Sequence, residues 1–544
     1  MKDARPFSHA SWRWRLLVAP IAAASLVLLA ACASGPAAAP TASAASGGKL
    51  VVAMTAAQIP GTDTPTTQGG EGFRFVGYQL YDPLVSWDLS STDKLATLAP
   101  GLATSWKVDA TDQTKWTFKL RKGVKFQDGT PWNADAAVFA FDRVMNPSFA
   151  YYSQTQAAAS ASYVATIASY HKIDEYTLQI TTKTPTSYLP YSLTSVLFPS
   201  PTAVKKEGND KYASAPVGTG PFAFEEQDGQ QSLLLKRNPD YWRGPAKIEE
   251  LELLPMPEAS ARLAALQSGE VNWAEVPPPD SLASLKASGF TLHTNSIPFV
   301  WPWVFNVSEK PFDDVRVRQA LNYAIDRDSL IKNILAGTAQ PATGPVYKGH
   351  PWYPDDAPTY TYNIKKAKKL LAEAGYPDGF TMTAMVPSSG SGNMLPQPMN
   401  EFMQQQLAKI GVKVQLQTVE WTNMQATYRA GFPAGVDALQ YAWTVSSPDW
   451  INNFYNSAKK APKGLNPGGY SDPKVDALLN ESMLAFDPAQ QNALIKKAMG
   501  YIQTDAPWLW VVHDLNSRVT APGVGNVIMA QSSYIDLTKV TVGK

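Results

Sequence analysis

Apolar residues alternate with polar ones in some stretches of the chain and recur at helical spacing in others, so strands and helices are mixed throughout. Leu50-Val51-Val52-Ala53-Met54, after Lys49, has the continuous apolar run of a short buried strand. Trp116, Phe118 and Leu120 alternate with polar residues, Val124 and Phe126 continue the period, and Asp128-Gly129 supplies a turn; together they predict a β-hairpin. Asn133 stands as an N-cap before Ala137, Phe141 and Val144, predicting a helix that runs to Met145. Another helix is predicted from Glu258 to Ser268, stopped by Gly269. Asp314 is placed to cap a long helix whose apolar stripe is Val317, Leu321, Ala324, Ile325, Ile331, Ile334 and Leu335, ending at Gly337. Asn363 caps a further helix that stops at Gly375. A helix from Met399 to Ile410 stops at Gly411, and Val412, Val414 and Leu416 then alternate as a strand. Asp472-Pro473 joins an N-cap to a proline at the first helical position. The mixture is α/β or α+β, with no internal repeat.

Composition narrows the class. A chain of 544 residues exceeds one ordinary core and implies two or three lobes. Its 44% apolar and 17% charged residues are those of a folded protein. The 47 basic and 46 acidic residues, with no basic run, argue against a nucleic-acid partner. A single cysteine excludes a disulfide framework, a cysteine zinc site and an iron–sulfur cluster. The 16 Trp, 23 Tyr and 20 Phe are enough to leave aromatic faces for a ligand pocket.

The first residues have the order of a lipoprotein signal. Lys2, Arg5, Arg13 and Arg15 precede an apolar run from Leu16 to Leu29, too short to span a membrane, and Leu29-Ala30-Ala31 leads to Cys32. Residues 1–31 are therefore expected to be removed and Cys32 lipidated. Residues 32–48, rich in Ala, Ser, Gly and Pro, are expected to form a flexible tether. A cleaved secretory signal with a bystander cysteine is the plainer reading.

Searches for catalytic chemistry return little. The sequence contains no GxxxxGK[ST], HExxH, CxxC or GxSxG pattern. His171, His293, His350 and His513 are widely spaced and read as surface or capping residues. Ser329 to Lys332 and Ser457 to Lys460 match SxxK by chance, without companion motifs. Asp313-Asp314 fits helix capping better than acid–base work. Neither an enzyme nor a cofactor or metal site is expected.

Four blocks in order carry a resemblance: Gly101-Leu102-Ala103-Thr104-Ser105-Trp106 continuing through residues 116–147; Gly218-Thr219-Gly220-Pro221-Phe222 with 236–244; 305–331; and 365–380. From about Lys49 to the C-terminus the chain resembles family 5 of the bacterial extracellular solute-binding proteins, the peptide and nickel type that serves ABC importers. The resemblance implies an α/β, two-lobed periplasmic-binding-protein type clamp (class C, three domains) with a hinge and an interlobe ligand cleft. The larger lobe should comprise 49–90, 215–298 and 510–544, with a domain of 91–214 inserted and a second lobe of 299–509. Crossover strands near Thr294 to Phe305 and before Val511 would form the hinge. ABC permease subunits with a cytoplasmic ATPase would be the partners, and the protein would act as a monomer, lipid-anchored outside the cytoplasm.

The ligand residues expected on this reading are Tyr78, Trp301, Trp303, Asn393, Trp421, Asn423, Tyr441, Trp443, Ser446, Ser447, Asp449 and Trp450. Peptide-binding relatives hold the ligand's α-amino group with an Asp in a W-x-x-D pattern; here Ser446 takes that position, and Asp449, three residues on, is no equivalent. The arginine that dipeptide binders place after the strand from Thr381 to Val386 is missing, since no Lys or Arg lies between Lys369 and Lys409. Nickel relatives place a histidine near this tryptophan region, and none lies between His350 and His513. The cargo readings are a longer peptide, a neutral oligosaccharide on Trp platforms with Ser446, Ser447, Asn393 and Asn423 as polar partners, or another polar metabolite. An exported enzyme, or a signalling or chaperone lipoprotein on the same clamp, is the alternative of a different class.

Overall fold

Strand Lys49–Met54 lies in the middle of a seven-stranded sheet, parallel to both of its neighbours, Glu250–Pro255 and Trp273–Glu275. The computed structural model describes residues Gly47 to Gly543. The signal segment, Cys32 and most of the tether lie outside the described residues. Antiparallel strands complete the sheet, Ser232–Arg237 and Phe222–Asp228 on one side, Arg518–Thr520 and Thr291–His293 on the other. This sheet and its covering helices form the first body.

The second body is built on Phe299–Phe305 and Trp508–Asp514, antiparallel partners whose fourteen positions are all buried. Strands buried on both faces read as continuous apolar runs. Ala438–Gln440, Thr381–Pro387 and Lys413–Val419 extend the sheet on one side, and Ala339–Pro341 ends it on the other. The chain passes between the two bodies at 294–298 and again at 515–517. The second passage follows Asp514, later than the boundary expected at 510, because Trp508–Asp514 remains hydrogen-bonded in the second sheet along its length.

A four-stranded antiparallel sheet, Ala103–Val108, Lys115–Leu120, Thr177–Thr182 and Ile167–Asp174, with helix Ala134–Met145 against it, forms a third domain. It is pinned to the first body. Arg143 donates from both terminal nitrogens to Asp63 at 2.7 and 2.8 Å, out of solvent, and Phe139 packs into the first body's core. The last part of the expected insert belongs elsewhere: Ala203, Val204 and Tyr212 pack in the first body's core.

Caps explain where helices begin and end. Asn133 accepts from the Ala136 N–H, Asn363 from Lys366 and Asp472 from Lys474 and Val475, each satisfying free first-turn donors. The long helix expected from Asp314 is two helices, Val315–Tyr323 and Arg327–Asn333. Asp326 caps the second, and the buried Arg327 guanidinium donates to the carbonyls of Asn322, Tyr360 and Trp510, so the break is held by hydrogen bonds an unbroken helix could not offer. The expected hairpin is also different. Lys115–Leu120 pairs with Ala103–Val108 and Thr177–Thr182, while the Asp128-Gly129 turn closes a separate short loop in which Phe126 donates to the Thr130 carbonyl and Trp132 to the Val124 carbonyl.

Candidate functional site

Alternation along the second sheet decides which aromatic residues can meet a ligand. Successive side chains on a strand point to opposite faces. Trp301, Trp303 and Phe305 share one face and one core with Val317, Leu321 and Met403. Val300 and Val304, on the other face, pack with Trp421, Tyr428 and Tyr441. Trp301 and Trp303 are therefore core residues rather than ligand platforms: both are fully buried, and their indole N–H groups donate to the Asn393 carbonyl at 3.2 Å and to Asn400 Oδ1 at 2.7 Å. Asn393 is equally sealed, accepting from Gln440 and donating to the Ser389 carbonyl.

The opposite face carries a continuous aromatic wall. Tyr441 stacks on Trp443 at 4.4 Å, and Trp421 lies 4.8 Å from Tyr441. Trp443 then meets Trp450 at 5.6 Å and Phe454 at 4.6 Å. The 388–393 loop lies over this wall because it is rich in glycine. Gly390 has φ +114° and a Cβ there would stand 2.5 Å from the Trp421 ring; a Cβ on Gly392 would strike Phe299. The Trp421 indole N–H is buried and has no hydrogen-bond partner among the described residues. Asn423 is exposed on the same helix, and Ser446 is half-buried.

The facing wall comes from the first body and the third domain. Tyr78 packs edge-on to Tyr534 at 4.9 Å and donates its hydroxyl to the Thr194 carbonyl; Trp87 links Tyr534 to Tyr191. Contacts bring the walls together: Thr444 Oγ1 lies 3.2 Å from Ser533 Oγ, and the Tyr347 hydroxyl donates to Gln531 Oε1 at 2.8 Å.

Two charges stand at this cleft. Asp449, in the first turn of helix Pro448–Tyr455, accepts from the Ser447 hydroxyl, and no cation lies within ion-pair distance of it among the described residues. Burial pushes its carboxyl above the usual aspartate range, against the lowering effect of Ser447, nearby backbone N–H groups and the Lys459 charge. Burial raises the phenols of Tyr163, Tyr188 and Tyr191, and the Asp449 charge raises each further. Tyr163 also feels Arg429, which is exposed and acts in the opposite sense. Arg429 and the third domain's tyrosines carry no local sequence signal; Tyr188 caps the short helix Leu189–Ser192 that holds Tyr191.

His350 and His513 are buried, not surface residues. Burial holds their pKa values at about 3 and about 4, with Tyr347 packed edge-on to both rings. Among the described residues no group of three or more His, Cys, Asp or Glu side chains is placed to hold a metal ion.

Two α/β bodies joined by two chain passages, with aromatic walls meeting between them, define a solute-binding clamp. The chain belongs to the bacterial extracellular solute-binding proteins, family 5, whose middle region matches residues 97–465. It is 30% identical over 540 residues to heme-binding protein A of Haemophilus influenzae, covering 94% of this chain and 96% of that one. It is 33% identical over 440 residues to the glutathione-binding protein GsiB of Pectobacterium atrosepticum, covering 77% and 81%. Among solved structures it is similar to the ABC transporter-associated periplasmic binding protein DppA from Helicobacter pylori in complex with the peptide STSA. That match has a TM-score of 0.78 and 27% identity over 92% of this chain and 98% of the other.

Proposed function

We propose that the protein is the substrate-binding lipoprotein of an ABC importer and that it captures a peptide-type solute bearing a free amino group. The observation that carries this reading is Asp449, a half-buried carboxylate without an ion-pair partner among the described residues, next to Trp450 of the aromatic wall, its pKa raised by burial. Holding a carboxylate away from water without a partner is costly, and a ligand ammonium would offset that cost. Arg429, near Tyr163, is available for a carboxylate at the other end of the ligand. Trp421, Tyr441, Trp443 and Trp450 would supply apolar contact, with Ser446, Ser447, Asn423 and Tyr78 as polar partners.

Relatives that by their own names bind glutathione or a short peptide support a peptide-type cargo. A neutral oligosaccharide would suit the tryptophans but would leave Asp449 unpaired. In this role the chain would be anchored through Cys32, work as a monomer and deliver its cargo to permease subunits driven by a cytoplasmic ATPase. Thermal unfolding in the presence of peptides of two to ten residues and of neutral oligosaccharides tests the reading. A ligand at 100 times its Kd adds about 2.7 kcal/mol. Peptides should raise the midpoint; a rise with oligosaccharides alone would overturn the assignment.

A further inference from the structure

The third domain grips the second body at a place separate from the aromatic walls. Ser187, just past strand Thr177–Thr182, donates its backbone N–H and its hydroxyl to the Met483 carbonyl at 3.0 and 2.8 Å. Gln491 reaches back from helix Pro488–Asp505, donating to Ser187 Oγ at 2.8 Å and to the Ser482 carbonyl at 2.9 Å. Between these contacts, Phe486 leaves the second body and packs against the third domain's own core, 5.9 Å from the Trp116 ring. Trp116 is a core residue there, 6% exposed.

Because Arg143 and Asp63 lock the third domain to the first body, this grip spans the opening between the two bodies. It is made entirely of protein groups, so it is available whether or not a solute is bound. Phe486 is half-buried there, and an aromatic anchor ringed by hydrogen bonds is an arrangement that carries much of the energy of small interfaces. We infer that Ser187, Phe486 and Gln491 form a latch through which the third domain sets the population of the closed clamp independently of the ligand. A ligand that binds the closed form gains apparent affinity in proportion to that population.

Two cysteines introduced at exposed positions, Ile173→Cys on the third domain and Tyr362→Cys on the second body, report the gap by spin-label distances. The full chain is used, with Cys32→Ser to leave those two thiols alone. In ligand-free protein the latch predicts a short-distance population that Phe486→Ala reduces several-fold. Ser187→Ala, a milder change at a half-buried site, should reduce it less, and an unchanged thermal midpoint for that variant shows that the fold is intact. A ligand-free protein with no short-distance population, or variants with unaltered distances, would overturn the latch. The distances need no cargo, so the latch and the peptide reading fail separately.

Discussion

Glu275 is fully buried and Asp449 half-buried, and burial pushes on both carboxyls, yet their surroundings differ. Glu275, in the first body, receives Arg74 Nη2 at 2.7 Å, Arg518 Nε at 2.6 Å and the Trp273 indole at 2.9 Å. Burial alone would raise its pKa, but the two guanidinium groups hold it below the usual glutamate range. Asp449 has a serine hydroxyl and no ion-pair partner among the described residues, with Lys459 acting only at longer range, and burial raises its pKa. One carboxylate is completed by the fold; the other is left for something outside it. Arg74 also donates to the Ser533 carbonyl, and Ser533 Oγ meets Thr444 across the cleft.

Breaking the completed site should cost most. Glu275→Gln leaves Arg74 and Arg518 without their shared anion, and losing one partner of a buried ion pair costs about 3–5 kcal/mol. Chemical denaturation should show the loss; a change below about 1 kcal/mol would mean that the network is not what holds this region. Trp303→Ala is expected in the same range, about 3–5 kcal/mol for a buried aromatic residue, and also orphans Asn400 Oδ1. Trp443→Ala should instead register mainly in ligand affinity, which sets core against wall on the two faces of one sheet.

Asp449→Asn should leave stability unchanged or slightly higher while weakening peptide affinity. Removing one partner of a desolvated charge pair costs about 2–5 kcal/mol in binding. The pH dependence of the two carboxylates has opposite sign. Glu275, with a lowered pKa, contributes stability that is present above the ordinary glutamate range and lost as pH falls through its folded value. Asp449, with a raised pKa, favours the fold at low pH and loses that contribution as pH rises through its folded value. Affinity for a ligand ammonium should therefore decline on acidification before Glu275 titrates.

The smallest effect at neutral pH comes from the buried histidines. Their folded pKa values of about 4 and about 3 lie below the ordinary 6.5, so stability is full above 6.5 and is lost as pH falls toward those values. Asp514, raised to about 6 by burial, acts in the opposite direction over part of that range. Comparing His513→Gln with the parent isolates the histidine: the variant should lose less stability between pH 7 and pH 5. Equal slopes would contradict the assignment of a neutral buried His513.

Local signals carried the elements well. Caps at Asn133, Asn363 and Asp472 and stops at Gly269 and Gly375 are one-residue chemistries that a sequence displays directly. The break at Asp326 was hidden because the apolar stripe continues through it, and the reason for the break, Arg327 bonding to distant carbonyls, is tertiary. The aromatic segments around Trp421, Tyr441 and Trp443 were legible as a group. The face taken by Trp301 and Trp303 was not, because a strand buried on both sides shows no polar alternation. Tyr163, Tyr188, Tyr191 and Arg429 were missed for a related reason: the charges that act on these tyrosines come from a segment distant in sequence.

The most direct measurement is titration calorimetry of a peptide found by the thermal screen, in free and N-acetylated forms, against the parent protein and Asp449→Asn. If Asp449 receives the ammonium, acetylation should weaken binding to the parent by at least tenfold and have little further effect on the variant. Equal binding of both forms by the parent, or equal losses from acetylation in parent and variant, would contradict it.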